Sequence, residues 1–219
     1  MFLRVKGEFA CFTDPLAKVE RMSYPVPTPS ACRGILESLL FKPEFRYEVG
    51  AVAVKKPIQY QSLRRNEVQS IITRNLTPII IEKDRTQRNS MVLRDVEYVI
   101  QFRIIFDGSP ERTDGEPTIN TPEKYHNCFV KYVERGHIRR QPCLGCKEFR
   151  CDYELSTEQD MIVNPPANLD QDFGMMLYDV YDLDRHNSSV KVTVFDAKLR
   201  SGIVRIPPWN QVKVQYATV

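Results

Sequence analysis

The sequence predicts an α+β fold: two helices against one antiparallel sheet, with more strands towards the C-terminal end. Three observations carry that reading. Residues 3–12 alternate apolar and polar side chains at the period of a half-buried strand, and "MVLRDVEYVIQFRIIF" is a second strong strand. Two segments open with Thr-Pro and then repeat apolar residues at helical spacing. Beyond "NPPANL", three short β-rich runs separated by turn residues read as an antiparallel meander.

Taken in order, the first strand is residues 3–12. In "TPSACRGILESLLFKP", Thr28 is an N-cap and Pro29 suits the first helical position. Ile35, Leu36, Leu39 and Leu40 form the apolar stripe, and Pro43 closes the helix. "RYEVGAVAVKKPIQYQ" is extended. From Ser62 to Ser90 the chain is polar and reads as a long loop, a length that is usually functional or mobile. The strand beginning at Met91 follows. Thr121 and Pro122 then start a second helix with Tyr125, Phe129, Tyr132 and Val133 on its buried stripe, and Gly136 ends it. "CKEFRCDYEL" is the fourth strand.

The resulting β-α-β-β-α-β order is the ferredoxin-like one, predicted here as a domain over residues 1–155. Residues 156–219 form a C-terminal antiparallel region, with "NPPANL" as the linker and "RHNSS" as its first turn.

The composition is globular, and no run approaches the ~18 apolar residues of a membrane span. The N-terminus reads as a strand instead of a signal peptide, which predicts a cytoplasmic protein with its six cysteines reduced. The net charge is only +3, but it is unevenly spread. Residues 55–104 carry ten Lys/Arg against five Asp/Glu, residues 124–150 seven against two, and residues 151–219 six against ten. A basic middle and an acidic tail suit a protein that offers one face to a polyanion.

Several chemistries lack their residues. There is no glycine-rich nucleotide loop and no nucleophile-elbow serine, and "DVYDLDRHN" lacks the glycine and glutamate of a calcium loop. Cys143 and Cys146 in "CLGC" have zinc-knuckle spacing without a second close pair, so they read as small buried residues with Gly145 making a turn. No metal or cofactor is predicted.

The basic segments are more informative. Arg64, Arg65, Arg85 and Arg88 lie in the long polar excursion, and Arg139 and Arg140 follow the second helix. Guanidinium groups suit phosphate recognition, and Tyr47, Tyr60 and Tyr125 are near enough in sequence to stack on bases. In "TPEKYHNCFVKYVERG", Lys124 and His126 flank the buried stripe on opposite sides if the helix is already formed there. With an irregular first turn, both could converge on a phosphate at the positive helix end.

Three motifs, in order, resemble a known family: "CFTDPLAKVERMSYPVPTPSACRGILESLLFKP", "KKPIQYQSLRRNEV" and "EKYHNCFVKYVERGHIRRQPCLGCKEF". They look like the type I-C CRISPR-associated protein of the RAMP superfamily, the subunit that processes precursor CRISPR RNA. The match extends to about Glu154. The resemblance implies a metal-independent endoribonuclease cutting at the base of the repeat hairpin by 2′-hydroxyl attack, to leave a 2′,3′-cyclic phosphate. It further implies that the protein keeps the 5′ handle and joins the backbone and large subunits of Cascade. Lys124 matches the family lysine. The family histidine follows that lysine directly; here Tyr125 does, with His126 next, so either takes the role. The family tyrosine at the end of the first helix is replaced by Leu40 and Phe41, leaving Tyr47 as the nearest hydroxyl. The alternative is a non-catalytic subunit that only caps the 5′ handle; duplex DNA is a further partner for the same basic face.

Overall fold

The computed structural model describes residues 1–17, 19–68, 70, 80–106, 122–163, 170–181 and 190–214. Strand β1 (Phe2–Ala10) is followed by helix α1 (Pro29–Leu39), in which the Thr28 side chain accepts the Ala31 N–H at 3.2 Å and Pro29 takes the first position. Next come β2 (Phe45–Val54), β3 (Tyr60–Val68), the single turn α2 (Ile81–Asp84) and the long β4 (Arg85–Phe106). Helix α3 (Pro122–Glu134), β5 (Asp152–Ser156) and the short α4 (Glu158–Ile162) precede β6 (Gln171–Tyr181), β7 (Val190–Arg200), β8 (Ile203–Arg205) and β9 (Lys213–Val214).

The result is a mixed α/β molecule built on one large antiparallel sheet, ordered β5-β1-β4-β2-β8-β7-β6. Strand β1 pairs with β4 from Phe2↔Gln101 to Ala10↔Leu93, and β2 takes the other side of β4 with an irregularity between Val49 and Ala51. Strand β8 joins the C-terminal strands to β2 through Val52↔Val204. The β7–β8 turn is Ser201-Gly202, both at positive φ as a tight two-residue hairpin requires. Helices α1 and α3 cover one face over a core that includes Leu36, Tyr47, Ile100, Phe102, Phe129 and Trp209. On the other face Met161 of α4 packs with Ala51, Ala53 and Val99.

Three expectations change. The polar excursion is an antiparallel ribbon where it is described: β3 pairs with the first part of β4 from Tyr60↔Leu93 to Val68↔Arg85. Both ribbon faces carry polar residues, so no apolar period announced it. The fourth strand begins at Asp152, and residues 143–150 instead form a compact turn closed by a Cys143↔Arg150 bridge. The C-terminal strands also extend the first sheet and share its core, so the sheet crosses the predicted boundary at residue 155. The Thr121 cap, "NPPANL" and "RHNSS" lie outside the described residues. None of the helices among the described residues is long and apolar enough to cross a membrane.

Candidate active site and nucleic-acid interface

Helix α3 is held by its apolar stripe. Tyr125, Phe129 and Val133 are buried at four-residue spacing. The Phe129 ring lies 5.1 Å from Phe102 and 5.9 Å from Tyr47, and Tyr125 lies 5.0 Å from Phe45. Such aromatic pairs add ~0.5–1.5 kcal/mol each beyond the area they bury. The helix ends in paired backbone bonds, His137 N–H to the Tyr132 carbonyl at 2.9 Å and Gly136 N–H to Val133 at 3.1 Å. Gly136 supplies the left-handed φ of +64° that this cap needs.

The register of α3 fixes what its first turns present. The helix begins at Pro122, so it is already formed at Lys124. At ~100° per residue, Lys124 and His126 stand to either side of the inward-facing Tyr125, and both are exposed. The Lys124 Nζ sits 5.9 Å from the Tyr125 ring centroid. The site surface is therefore an ammonium and an imidazole separated by a buried phenol ring, near the positive end of a thirteen-residue helix.

Tyr47, anticipated as the hydroxyl partner, is placed differently. Its ring is 2 % exposed and its hydroxyl donates to the Leu40 carbonyl at 2.7 Å. Burial pushes that hydroxyl well above the usual phenol range. Packed under α3, it acts from inside the protein, bracing the end of α1 where Leu40 and Phe41 stand, and its proton does not reach the surface. The Tyr125 ring is likewise core, at 7 % exposed.

The arginines fall into two other places. Residues opposite each other in an antiparallel pair share a face. Arg64 and Arg85 lie on the exposed face of the ribbon, together with Asn66, Gln87 and Asn89 and with no acidic side chain. Arg65 and Arg88 face each other on the half-covered side. There Arg65 pairs with Glu148, approaches the Cys146 sulfur at 4.0 Å and lies 5.9 Å from the Phe149 ring centroid. Arg65 thus ties the ribbon to the turn at residues 143–150, a use the sequence reading missed because the partners are some eighty residues away.

The loop after α3 docks on α1. The backbone N–H groups of Arg139 and Arg140 both donate to the Ser38 carbonyl, at 2.9 and 3.1 Å. The Arg139 guanidinium lies 4.7 Å from the Phe41 ring centroid, and both arginines are exposed. Phe41, 41 % exposed, and His137, edge-on to Tyr132 at 5.5 Å, belong to the same corner and were not singled out in the sequence. Of the two cysteines read as buried, Cys146 is buried and Cys143 only half-buried, and Gly145 makes the turn between them at φ +87°.

The sequence matches the family profile described as CRISPR-associated protein (Cas_Cas5) over residues 1–207. It is 34 % identical to the CRISPR pre-crRNA endoribonuclease Cas5d of Mannheimia succiniciproducens, over 97 % of each chain. It is 40 % identical to the protein of the same name from Thermus thermophilus, over 81 % of this chain and 72 % of that one. Among solved structures, a crystal structure described as a CRISPR-associated protein superposes with a TM-score of 0.70 at 22 % identity, covering 98 % of this chain and 95 % of that one, which establishes likeness of fold.

Proposed function

The chain belongs to the Cas5 family of CRISPR-associated proteins, and from that premise we propose that it is an endoribonuclease that cleaves precursor CRISPR RNA. The observation that carries the reading is the exposed Lys124 and His126 on the formed start of α3, in the stretch that resembles the family's catalytic motif. The reaction needs no metal. The ribose 2′-oxygen attacks the adjacent phosphorus, the bond to the 5′-oxygen breaks, and a 2′,3′-cyclic phosphate and a 5′-hydroxyl result. Lys124 stabilises the charge that builds on the phosphorane oxygens, and His126 moves a proton as acid or base; imidazole is the side chain that changes charge near neutral pH. Tyr125 sets the spacing between them from the core. The Arg64 and Arg85 face and the Arg139–Arg140 loop hold phosphates on either approach.

The antiparallel order β5-β1-β4-β2 with α1 and α3 on one face supports the ferredoxin-like reading of this region. The protein keeps the 5′ handle of its product and joins the backbone and large subunits of Cascade in the cytoplasm. One observation favours a second reading. With Tyr47 and Tyr125 both buried, the surface formed by the described residues offers no tyrosine hydroxyl beside Lys124, as a subunit that only caps the handle would allow.

The test is incubation with repeat RNA in excess EDTA, followed by analysis of the product ends. Cleavage giving a 2′,3′-cyclic end, and none when the nucleotide 5′ of the scissile phosphate is 2′-deoxy, is the expected result. Tight binding with intact RNA would replace the nuclease by the cap.

A further inference from the structure

Outside the α3 site, two cysteines and two arginines form a cluster that the cleavage chemistry does not use. Cys11 follows the last residue of β1, and its backbone N–H donates to the Leu144 carbonyl at 2.9 Å. Gly145 closes over it: a Cβ there would stand 1.9 Å from the Cys11 carbonyl oxygen. That approach seats Cys146 against Cys11, and the two pack in a small apolar cluster with Val92, where the Cys11 sulfur also lies 3.5 Å from the Thr13 hydroxyl.

Two guanidinium groups reach the Cys146 sulfur, Arg21 Nη1 at 3.3 Å and Arg65 Nη1 at 4.0 Å. Glu67 pairs with Arg21 at 3.5 Å, Glu148 pairs with Arg65, and Cys143 is a further titratable neighbour. Donation from Cys11 and then from the arginines outweighs the opposing effect of burial and draws the Cys146 thiol well below its usual range. The same hydrogen bond, with burial, keeps Cys11 protonated. Cys32 is fully buried, and burial outweighs its backbone hydrogen bond and pushes its thiol up. It is the inert reference within the same chain.

We propose that Cys146 is a peroxide-reactive cysteine and that Cys11 is its resolving partner, closing a disulfide between the end of β1 and the turn at residues 143–150. The Cys146 sulfur attacks one oxygen of hydrogen peroxide, the O–O bond breaks, and a sulfenic acid forms. The departing hydroxide takes the proton released when Cys146 ionised and leaves as water. Cys11 then attacks the Cys146 sulfur, the S–O bond breaks, and the hydroxyl leaves with the Cys11 proton as a second water. Two electrons pass from the sulfurs to the peroxide. Arg21 and Arg65 supply the donors that hold the anion and meet the departing oxygen. At 6 % exposed, Cys146 is open to an oxidant of this size more than to a bulky reagent. Closure removes the anion that both arginines approach, leaving Glu67 and Glu148 to hold the ribbon at that end. In a reducing compartment such a bond is a transient response.

The reduced full chain is treated with a few equivalents of hydrogen peroxide at pH 7, alkylated and mapped by peptide mass spectrometry. A peptide joining Cys11 to Cys146 should form at least roughly tenfold faster than Cys32 oxidises, following thiolate character. Cys11→Ser should stop at a Cys146 sulfenic acid that dimedone traps once the protein is unfolded in its presence. Arg21→Gln, its fold checked by circular dichroism, should slow the reaction several-fold at pH 7 and less at pH 9, where a thiol ionises unaided. Oxidation of Cys146 no faster than Cys32, a disulfide joining Cys143 to Cys151 instead, or an unchanged rate in Arg21→Gln would each overturn the proposal.

Discussion

A β-strand sends neighbouring side chains to opposite faces, and in β3 that puts Arg64 in solvent while Arg65 turns in towards Glu148 and Cys146. Two adjacent arginines of the same motif therefore behave differently when removed. Arg64→Ala and Arg85→Ala should each weaken RNA binding and lower the slope of log affinity against log salt by about 0.7–0.9 per lost phosphate contact. Arg65→Ala should instead cost about 1 kcal/mol of stability, read from a urea midpoint, since a half-exposed ion pair is worth little more. A slope unchanged by Arg64→Ala and Arg85→Ala would remove the outer ribbon face from the footprint. The parity of Arg64 and Arg65 was hidden in the sequence, because the segment read as a loop. Which of the two is covered depended on a turn folded back from Cys146, and no local pattern records that. Tyr47 teaches the same lesson: its residue type suits chemistry, but its strand register gives the hydroxyl to the Leu40 carbonyl.

At the scale of elements, what could be read tracks how much apolar surface each one buries. Helices α1 and α3 carry continuous stripes and proline starts, and both were found close to their observed limits. The β3–β4 ribbon is polar on both faces, so its strands looked like loop. The short α4 was overlooked although Thr157 and Asp160 form a capping box, a signal present in the text at a three-residue spacing. The turn at residues 143–150 hinges on one glycine. Gly145→Ala combines a φ of +87° with a Cβ driven into the Cys11 carbonyl, so it should cost at least ~1–3 kcal/mol in urea unfolding. A neutral substitution would mean that the turn and β1 are not held as described.

For the whole molecule, one sheet and one main core run from β5 to β6, and a largely buried charge pair ties α1 to the edge strand β6. Arg33 of α1 donates from Nε and Nη2 to the Asp179 carboxylate of β6 at 3.2 and 2.7 Å, while the other Asp179 oxygen accepts the Val180 and Tyr181 N–H groups. The end of the ferredoxin-like order and the "NPPANL" linker suggested two regions, because sequence shows where a chain changes character and not which edges later join. Family membership was legible from three motifs, and helical spacing already put Tyr125 on the buried stripe between Lys124 and His126; what the sequence left open was whether the helix is formed at Lys124, and it begins at Pro122. The account rests on Lys124 acting in the transition state and not merely in holding RNA. Single-turnover cleavage of repeat RNA in EDTA by the Lys124→Ala protein, with affinity measured alongside, tests this most directly. The rate should fall by roughly a hundredfold or more while affinity changes by no more than about the few-fold expected of one surface cation. An unchanged rate, or a loss of cleavage fully matched by lost binding, would contradict it.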